Sequence, residues 1–458
     1  MEITKDYSSS KIRKKIFSMI LPITIESVLQ MIVGFVSMAM IGRISAIAVG
    51  ALGLSMRITQ IVWALFKGVT TGASVFVAQA HGAQNYKKLR QVVQQTLLST
   101  IILVILLQII IFWKAPVLIL NLFHPKEDLL QSAVTYLRVV SWGLPFMAIM
   151  LVVAGVLQGT GNAMTPMLIT LFMNIVNASL SFVFIFGKLG MPAMGIRGAA
   201  LATIIAQFMG AMVGLYVLFS RGGILNSLFN KKLFNLDIRQ IGDIYRVGMP
   251  TAFESIFWQI AALIITNVIL SFGEIPLAAH QLGLQAESIS YMPAAGFGIA
   301  ATTFVGQALG AKDKKLGRAY LKETLKGAII VTLVCASLLI FFPQLVMKIL
   351  TDDMEVIKLG AKYLIIMGIV QLPQNVSGVL NGALRGAGYT RVPMIVAGIG
   401  LWGVRIPLSL LFTYYFHMNI IAIWLVMGAD LIVRFFLSFT LYKTRAIFER
   451  DVLLEEYN

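Results

Sequence analysis

Pro22-Ile23-Thr24-Ile25-Glu26-Ser27 opens an apolar run near the start of the chain, and Pro250-Thr251-Ala252-Phe253-Glu254-Ser255 opens another about 228 residues later. Two further pairs keep that offset. Val77-Ala78-Gln79-Ala80-His81-Gly82-Ala83 returns as Val305-Gly306-Gln307-Ala308-Leu309-Gly310-Ala311, and Gly159-Thr160-Gly161 with Pro166-Met167 returns as Gly386-Ala387-Gly388 with Pro393-Met394. Three matches at one spacing make the chain a duplication. Residues 1–220 form an N-terminal half, residues 221–243 a basic linker, and residues 244–458 a C-terminal half.

The chemistry of the halves follows from composition. Of 458 residues, 58% are hydrophobic and only 12% charged, with a mean hydropathy of +0.85. A soluble domain carries about 25% charged residues, so a water-facing surface cannot be assembled here. About twelve apolar runs, between about residue 16 and about residue 442, are each long enough to cross a bilayer. The expected fold is therefore an all-α polytopic membrane protein. Its twelve transmembrane helices form two pseudo-symmetric bundles of six. Because six is even, both halves enter the membrane from the same side, so the repeats are parallel and related by an axis along the membrane normal. A soluble enzyme, a disordered chain and a disulfide scaffold are excluded.

The net charge of +17 comes from 37 Lys and Arg against 20 Asp and Glu. These charges gather in alternate connections: Lys87, Lys88 and Arg90; Lys231, Lys232 and Arg239; Lys312, Lys314, Lys315 and Arg318; Arg385 and Arg391; Lys443 and Arg445. That bias places those loops and both termini in the cytoplasm of a cell with a multi-pass protein in its inner or plasma membrane. It also accounts for the basicity without nucleic acid. Lys11, Arg13, Lys14 and Lys15 precede a run too long for a signal peptide, which reads as a retained first helix. Cys335 stands alone, so neither a disulfide framework nor a thiolate metal site is expected.

Several motifs carry a resemblance. They are Leu157-Gln158-Gly159-Thr160-Gly161-Asn162-Ala163-Met164-Thr165-Pro166, Met191-Pro192-Ala193-Met194-Gly195-Ile196-Arg197-Gly198-Ala199-Ala200, Leu277-Ala278-Ala279-His280-Gln281, Val305 to Ala311, and Ala383-Leu384-Arg385-Gly386-Ala387-Gly388-Tyr389-Thr390. In this order and in both halves, they resemble the multidrug and toxic compound extrusion (MATE) family. The resemblance spans nearly the whole chain. It implies two six-helix bundles that export organic cations in exchange for protons or sodium ions.

Carboxylates at membrane depth cost about 2.5 to 3.5 kcal/mol on insertion scales, so each calls for a reason. Glu254, with Trp258 and Gln259 next on its face, pairs a charge with an indole, a combination suited to an organic cation. Glu287 precedes Pro293 and has Tyr291 one turn on. It resembles the acid found ahead of a proline in the eighth helix of eukaryotic relatives. Glu26, with Gln30 one turn on, is the counterpart of Glu254 in the first half. If Glu254 and Glu287 shared a cavity, their like charges would form a dyad able to trade a proton for a cation. Ser37 stands where many relatives carry an Asp, which weakens sodium coupling in the first half, although Asn174, Asn177 and Thr203 remain possible oxygen ligands for an ion. Asp430 and Arg434, at i and i+4, read as a neutralising pair, and His280 as packing.

The expectation is secondary antiport by alternating access. It involves no cofactor, no metal and no enzymatic step, with a proton as the coupling ion or, alternatively, sodium. The partners are small organic cations and the lipid bilayer, and the protein is expected to act as a monomer. There is no Gly-x-x-x-x-Gly-Lys loop for a nucleotide and no His-Glu-x-x-His motif. The alternative is a flippase for lipid-linked precursors, kept open by Arg57, Lys67 and Arg405, whose positive charges suit a pyrophosphate.

Overall fold

A computed structural model describes residues 8–42, 46–109, 127–226, 236–449 and 453. Twelve helices among them are long and apolar enough to cross a membrane, and no strand occurs among the described residues. In the first half they are α1 (Ser9–Gly42), α2 (Ala46–Gly82), α3 (Tyr86–Leu107), α4 (Glu127–Gly159), α5 (Met164–Phe186) and α6 (Ile196–Phe219). In the second half they are α7 (Ile238–Leu270), α8 (Glu274–Gly310), α9 (Lys314–Phe341), α10 (Met354–Gly386), α11 (Arg391–Tyr415) and α12 (Ile420–Thr444). Lys231 and Lys232 of the linker lie outside the described residues, as does the side chain of Arg57.

The duplication is visible in how helices end. After α2 the chain turns through Gln84 at φ 56°, and after α8 through Lys312 at φ 54°. Each turn is followed by a capping side chain. Asn85 accepts from the Lys88 N–H at 3.0 Å, and Asp313 from the Leu316 N–H at 3.0 Å. Such caps satisfy backbone donors that a helix start leaves open. Gly161 and Gly388, at φ 91° and 84°, make the paired turns that precede α5 and α11, a conformation glycine adopts without steric cost.

The chain forms two compact units, residues 1–24, 78–84 and 249–458 in one, and residues 25–77 and 85–248 in the other. The C-terminal unit thus takes in two pieces that the sequence assigns to residues 1–220. Specific contacts account for both. Arg13 forms a 2.8 Å ion pair with Glu323 of α9, and Phe17 meets the Phe297 ring edge-on at 6.0 Å. Gln79 donates to the Gly386 carbonyl at 3.0 Å and accepts from the Leu453 N–H at 3.0 Å.

Within the C-terminal unit α8 and α10 lie against each other where glycines face. A Cβ on Gly382 would overlap the Gly298 carbonyl, and Thr302 donates to the Gly382 carbonyl at 2.9 Å. Lipid offers apolar surface as good as leucine, so close backbone approach and hydrogen bonds of this kind hold membrane helices together. Toward the other end of α10, Tyr363, Leu364 and Met367 pack with Trp424 and Met427 of α12. In the other unit Phe66, Leu137 and Ala148 anchor a core of their own.

Candidate functional site

Glu287 lies on α8 with 6% of its surface exposed. Its carboxyl accepts a hydrogen bond from the Tyr363 hydroxyl at 2.6 Å and another from the Gln371 Nε2 at 2.7 Å. Both donors sit on α10, two turns apart and so on one face. The same face carries Asn375, which donates to Thr332 at 2.9 Å on α9. The acid is therefore held by neutral donors, and among the described residues no Lys or Arg forms a salt bridge with it. Gln371 Oε1 is buried and has no partner.

The phenol on this carboxyl is that of Tyr363, whereas the sequence offers Tyr291. Tyr291 is 42% exposed. Tyr363 is 76 positions away, beyond the reach of any periodicity within α8. Tyr363, Gln371 and Asn375 are the residues that sequence reasoning missed. The available signal was polar residues at helical spacing along one face of an otherwise apolar span.

Glu254 is not open. Arg385, in the last turn of α10, brings its Nη2 to both carboxylate oxygens at 2.7 and 2.6 Å. The sequence places Arg385 in a loop turn, but the helix extends through it to Gly386. The indole of Trp258 is occupied as well. The Arg434 guanidinium lies 4.3 Å from its ring centroid and that of Arg405 5.2 Å. The face expected to hold an organic cation thus already holds two protein cations. Gln259 is half-buried beside it. Among the described residues no hydrogen bond joins Glu254 to Glu287.

The pairing of Asp430 with Arg434 is present, in bidentate form: Arg434 Nε donates to Oδ1 at 2.7 Å and Nη2 to Oδ2. Arg405 adds a second cation, its Nε 2.8 Å from Oδ2 but out of line for a hydrogen bond. A side chain at Gly400 would collide with Asp430 and Arg434. His280 packs as expected, edge-on to Tyr363 at 5.5 Å.

In the other unit, Glu26 is half-buried and accepts one hydrogen bond, from Thr170 of α5 at 3.2 Å. Gln30 is exposed. One turn along α5, Asn174 is 6% exposed and its amide nitrogen has no partner. Asn177 accepts from Ser181 at 2.9 Å, and Thr203 donates to the Ala199 carbonyl at 3.0 Å. Among the described residues, Ser37, Asn174, Asn177 and Thr203 make no hydrogen bond to one another.

Known proteins resemble this chain throughout its length. The family profile described as MatE matches twice, over residues 22–183 and 250–411, the same offset as the internal motifs. A "probable multidrug resistance protein NorM" of Thermotoga maritima is 33% identical over 454 residues, covering 97% of this chain and 96% of that protein. A "probable multidrug resistance protein YoeA" of Bacillus subtilis is 25% identical over 451 residues, covering 96% of each. Among solved structures, a MOP superfamily transporter from Pyrococcus furiosus, whose description notes a binding pocket of reversed polarity, superposes with a TM-score of 0.87 at 20% identity, covering 97% of this chain and 98% of that one. An outward-facing multidrug resistance MATE transporter gives 0.87 at 20% identity over 95% of this chain and 96% of that one. At these identities the structures establish the fold.

Proposed function

Because the chain belongs to the MatE family, we propose that it is a multidrug exporter of the cell membrane, both termini in the cytoplasm, that drives organic cations outward in exchange for protons by alternating access. The observation that carries this reading is Glu287. Among the acids at depth in the C-terminal unit, Glu254 and Asp430 are neutralised by arginines, and Glu287 alone is held by neutral groups.

Such a carboxyl can exist in either state. Ionised, it accepts from both Tyr363 and Gln371. Protonated, it becomes a donor, and the unpartnered Gln371 Oε1 reaches it if the amide turns over, since the two ends of an amide differ only in donor and acceptor character. The protein therefore supplies partners for both forms without a large rearrangement. An organic cation takes the place of the proton when the site faces the cytoplasm and gives it up when a proton returns from outside. A one-for-one exchange moves no net charge. Each unit of pH gradient then supports about 1.4 kcal/mol, or tenfold accumulation. Glu254 and Trp258 serve as cation ligands only in a state where Arg385, Arg405 and Arg434 have withdrawn from them.

The test is efflux of a fluorescent organic cation from proteoliposomes under an imposed pH or sodium gradient. The pH gradient is expected to drive export, and Glu287→Gln to abolish it. Export driven by sodium alone would overturn proton coupling, and undiminished export by Glu287→Gln would remove this carboxyl from the mechanism.

A further inference from the structure

We propose that the segment following α12, anchored by Phe448 and Leu453, is a clasp that acts through Gln79 to hold the ends of α2 and α8 together and so biases the transporter against opening to the cytoplasm. The inference rests on the alternating-access reading and the membrane orientation proposed above.

The clasp begins where α12 stops. Ala446, at φ 43°, takes the left-handed conformation that often closes a helix, and the Glu449 N–H donates to its carbonyl at 2.7 Å. The turned chain then buries Ile447, Phe448 and Leu453. Two of these side chains occupy room that glycines leave. A Cβ on Gly317, near the start of α9, would collide with the Phe448 ring, and one on Gly388, in the turn before α11, with the Leu453 side chain. Two cations cover the edges: the Arg318 guanidinium lies 6.0 Å from the Phe448 ring centroid, and that of Arg445 5.8 Å from the Tyr389 ring centroid.

Gln79 links this segment to α2. Its amide donates to the Gly386 carbonyl at 3.0 Å and accepts from the Leu453 N–H at 3.0 Å, both in a buried setting. A buried amide that loses such partners is left with unpaired polar atoms, so docking of Leu453 fixes Gln79 against the end of α10. Around Gln79 the last turns of α2 and α8 touch backbone to backbone. A Cβ on Gly82 would overlap the Gln307 carbonyl, and one on Gly310 the Gln79 carbonyl, while Ala78 faces Gly306. The basic residues Lys87, Lys88, Lys312 and Lys314 that follow these turns put the crossing at the cytoplasmic end.

The position of Gln79 in the chain makes the docking a control point. Residues 78–84 pack with the C-terminal unit, yet the chain before them, residues 25–77, and after them, residues 85–248, belongs to the other. Any rearrangement of one unit against the other pulls on this short piece from both sides. The crossing with α8 and the two hydrogen bonds of Gln79 are what retain it, and the clasp supplies one of those bonds.

Two measurements test the clasp, and neither needs a substrate or an ion gradient, so both read it even if protons prove not to drive export. In the first, Ala78→Cys is placed in a Cys335→Ser background, and its labelling by a membrane-impermeant maleimide is followed in inside-out vesicles. Phe448→Ser with Leu453→Ser is expected to raise the labelling rate severalfold, and to add little further in a chain that also carries Gln79→Leu. An unchanged rate, or an equal rise with and without Gln79→Leu, would overturn the proposal. In the second, hydrogen exchange is measured on the unaltered full chain. Peptides spanning residues 78–84 and 445–453 are expected to lose protection at matching rates, because one opening releases both. Exchange of residues 445–453 many times faster than that of residues 78–84 would show a tail that leaves without freeing α2, which also overturns it.

Discussion

The hydroxyl of Tyr363 donates a 2.6 Å hydrogen bond to Glu287, joining α10 to α8 inside the C-terminal unit. Hydrogen bonds to a charged partner contribute about 1.5 to 3 kcal/mol, and this one favours the ionised carboxylate. Tyr363→Phe removes the donor and keeps the ring against His280 and Trp424. Proton-driven efflux is expected to persist with its pH midpoint displaced upward by about one unit. A pH titration of transport checks this, and an unmoved midpoint would contradict it.

Asp430 is completely buried between Arg405 and Arg434. Asp430→Asn leaves two guanidiniums without a charge between them, and breaking a buried pair by removing one partner costs about 3 to 5 kcal/mol. A clear drop in Tm is expected, partly reversed when Arg434→Met is added. Thermal unfolding in detergent, followed by size-exclusion chromatography, reads the outcome.

The pair formed by Glu254 and Arg385 is only partly sheltered, with side chains 14% and 20% exposed. Screening reduces what such a pair contributes. Glu254→Gln and Arg385→Gln are expected to destabilise modestly, with a coupling of about 1 kcal/mol in a double-mutant cycle. A coupling near zero would mean that the pair makes no net contribution.

Gly382 and Gly378 sit one turn apart on α10 and differ in what surrounds them. A Cβ at Gly382 meets the Gly298 carbonyl, whereas at Gly378 it meets nothing within 4 Å. Gly382→Ala is expected to cost about 1 to 3 kcal/mol through overpacking. Gly378→Ala should be neutral or stabilising by about 0.5 to 1 kcal/mol, through the lower chain entropy of alanine. Comparing the two Tm values separates close packing from a general intolerance of side chains on this helix.

Much of the architecture was legible because lipid imposes it. Every backbone group in hydrocarbon must bond within its own helix, so apolar length alone marks a span, and the twelve runs correspond to twelve helices. The repeated Pro-x-x-x-Glu and Gly-x-Gly segments marked the duplication. The partition at residues 24 and 78–84 was not legible, since it depends on contacts such as Arg13 with Glu323, which lie 310 positions apart. Glu287 could be singled out as an acid in hydrocarbon, but its companions could not.

What the order of residues determined, then, was the class of molecule: which segments cross the membrane, how the halves repeat, and which acids are out of place in lipid. These properties follow from hydropathy and local spacing, which act over a few turns of one helix. Which of those acids is neutralised was decided only by the tertiary structure. Arg385 closes on Glu254, Arg434 on Asp430, and Tyr363 with Gln371 on Glu287. The bonds between helices join residues 131, 76 and 84 positions apart. The energy of a buried charge depends on the atoms that surround it in space, and for Glu254 and Glu287 those atoms arrive on other helices.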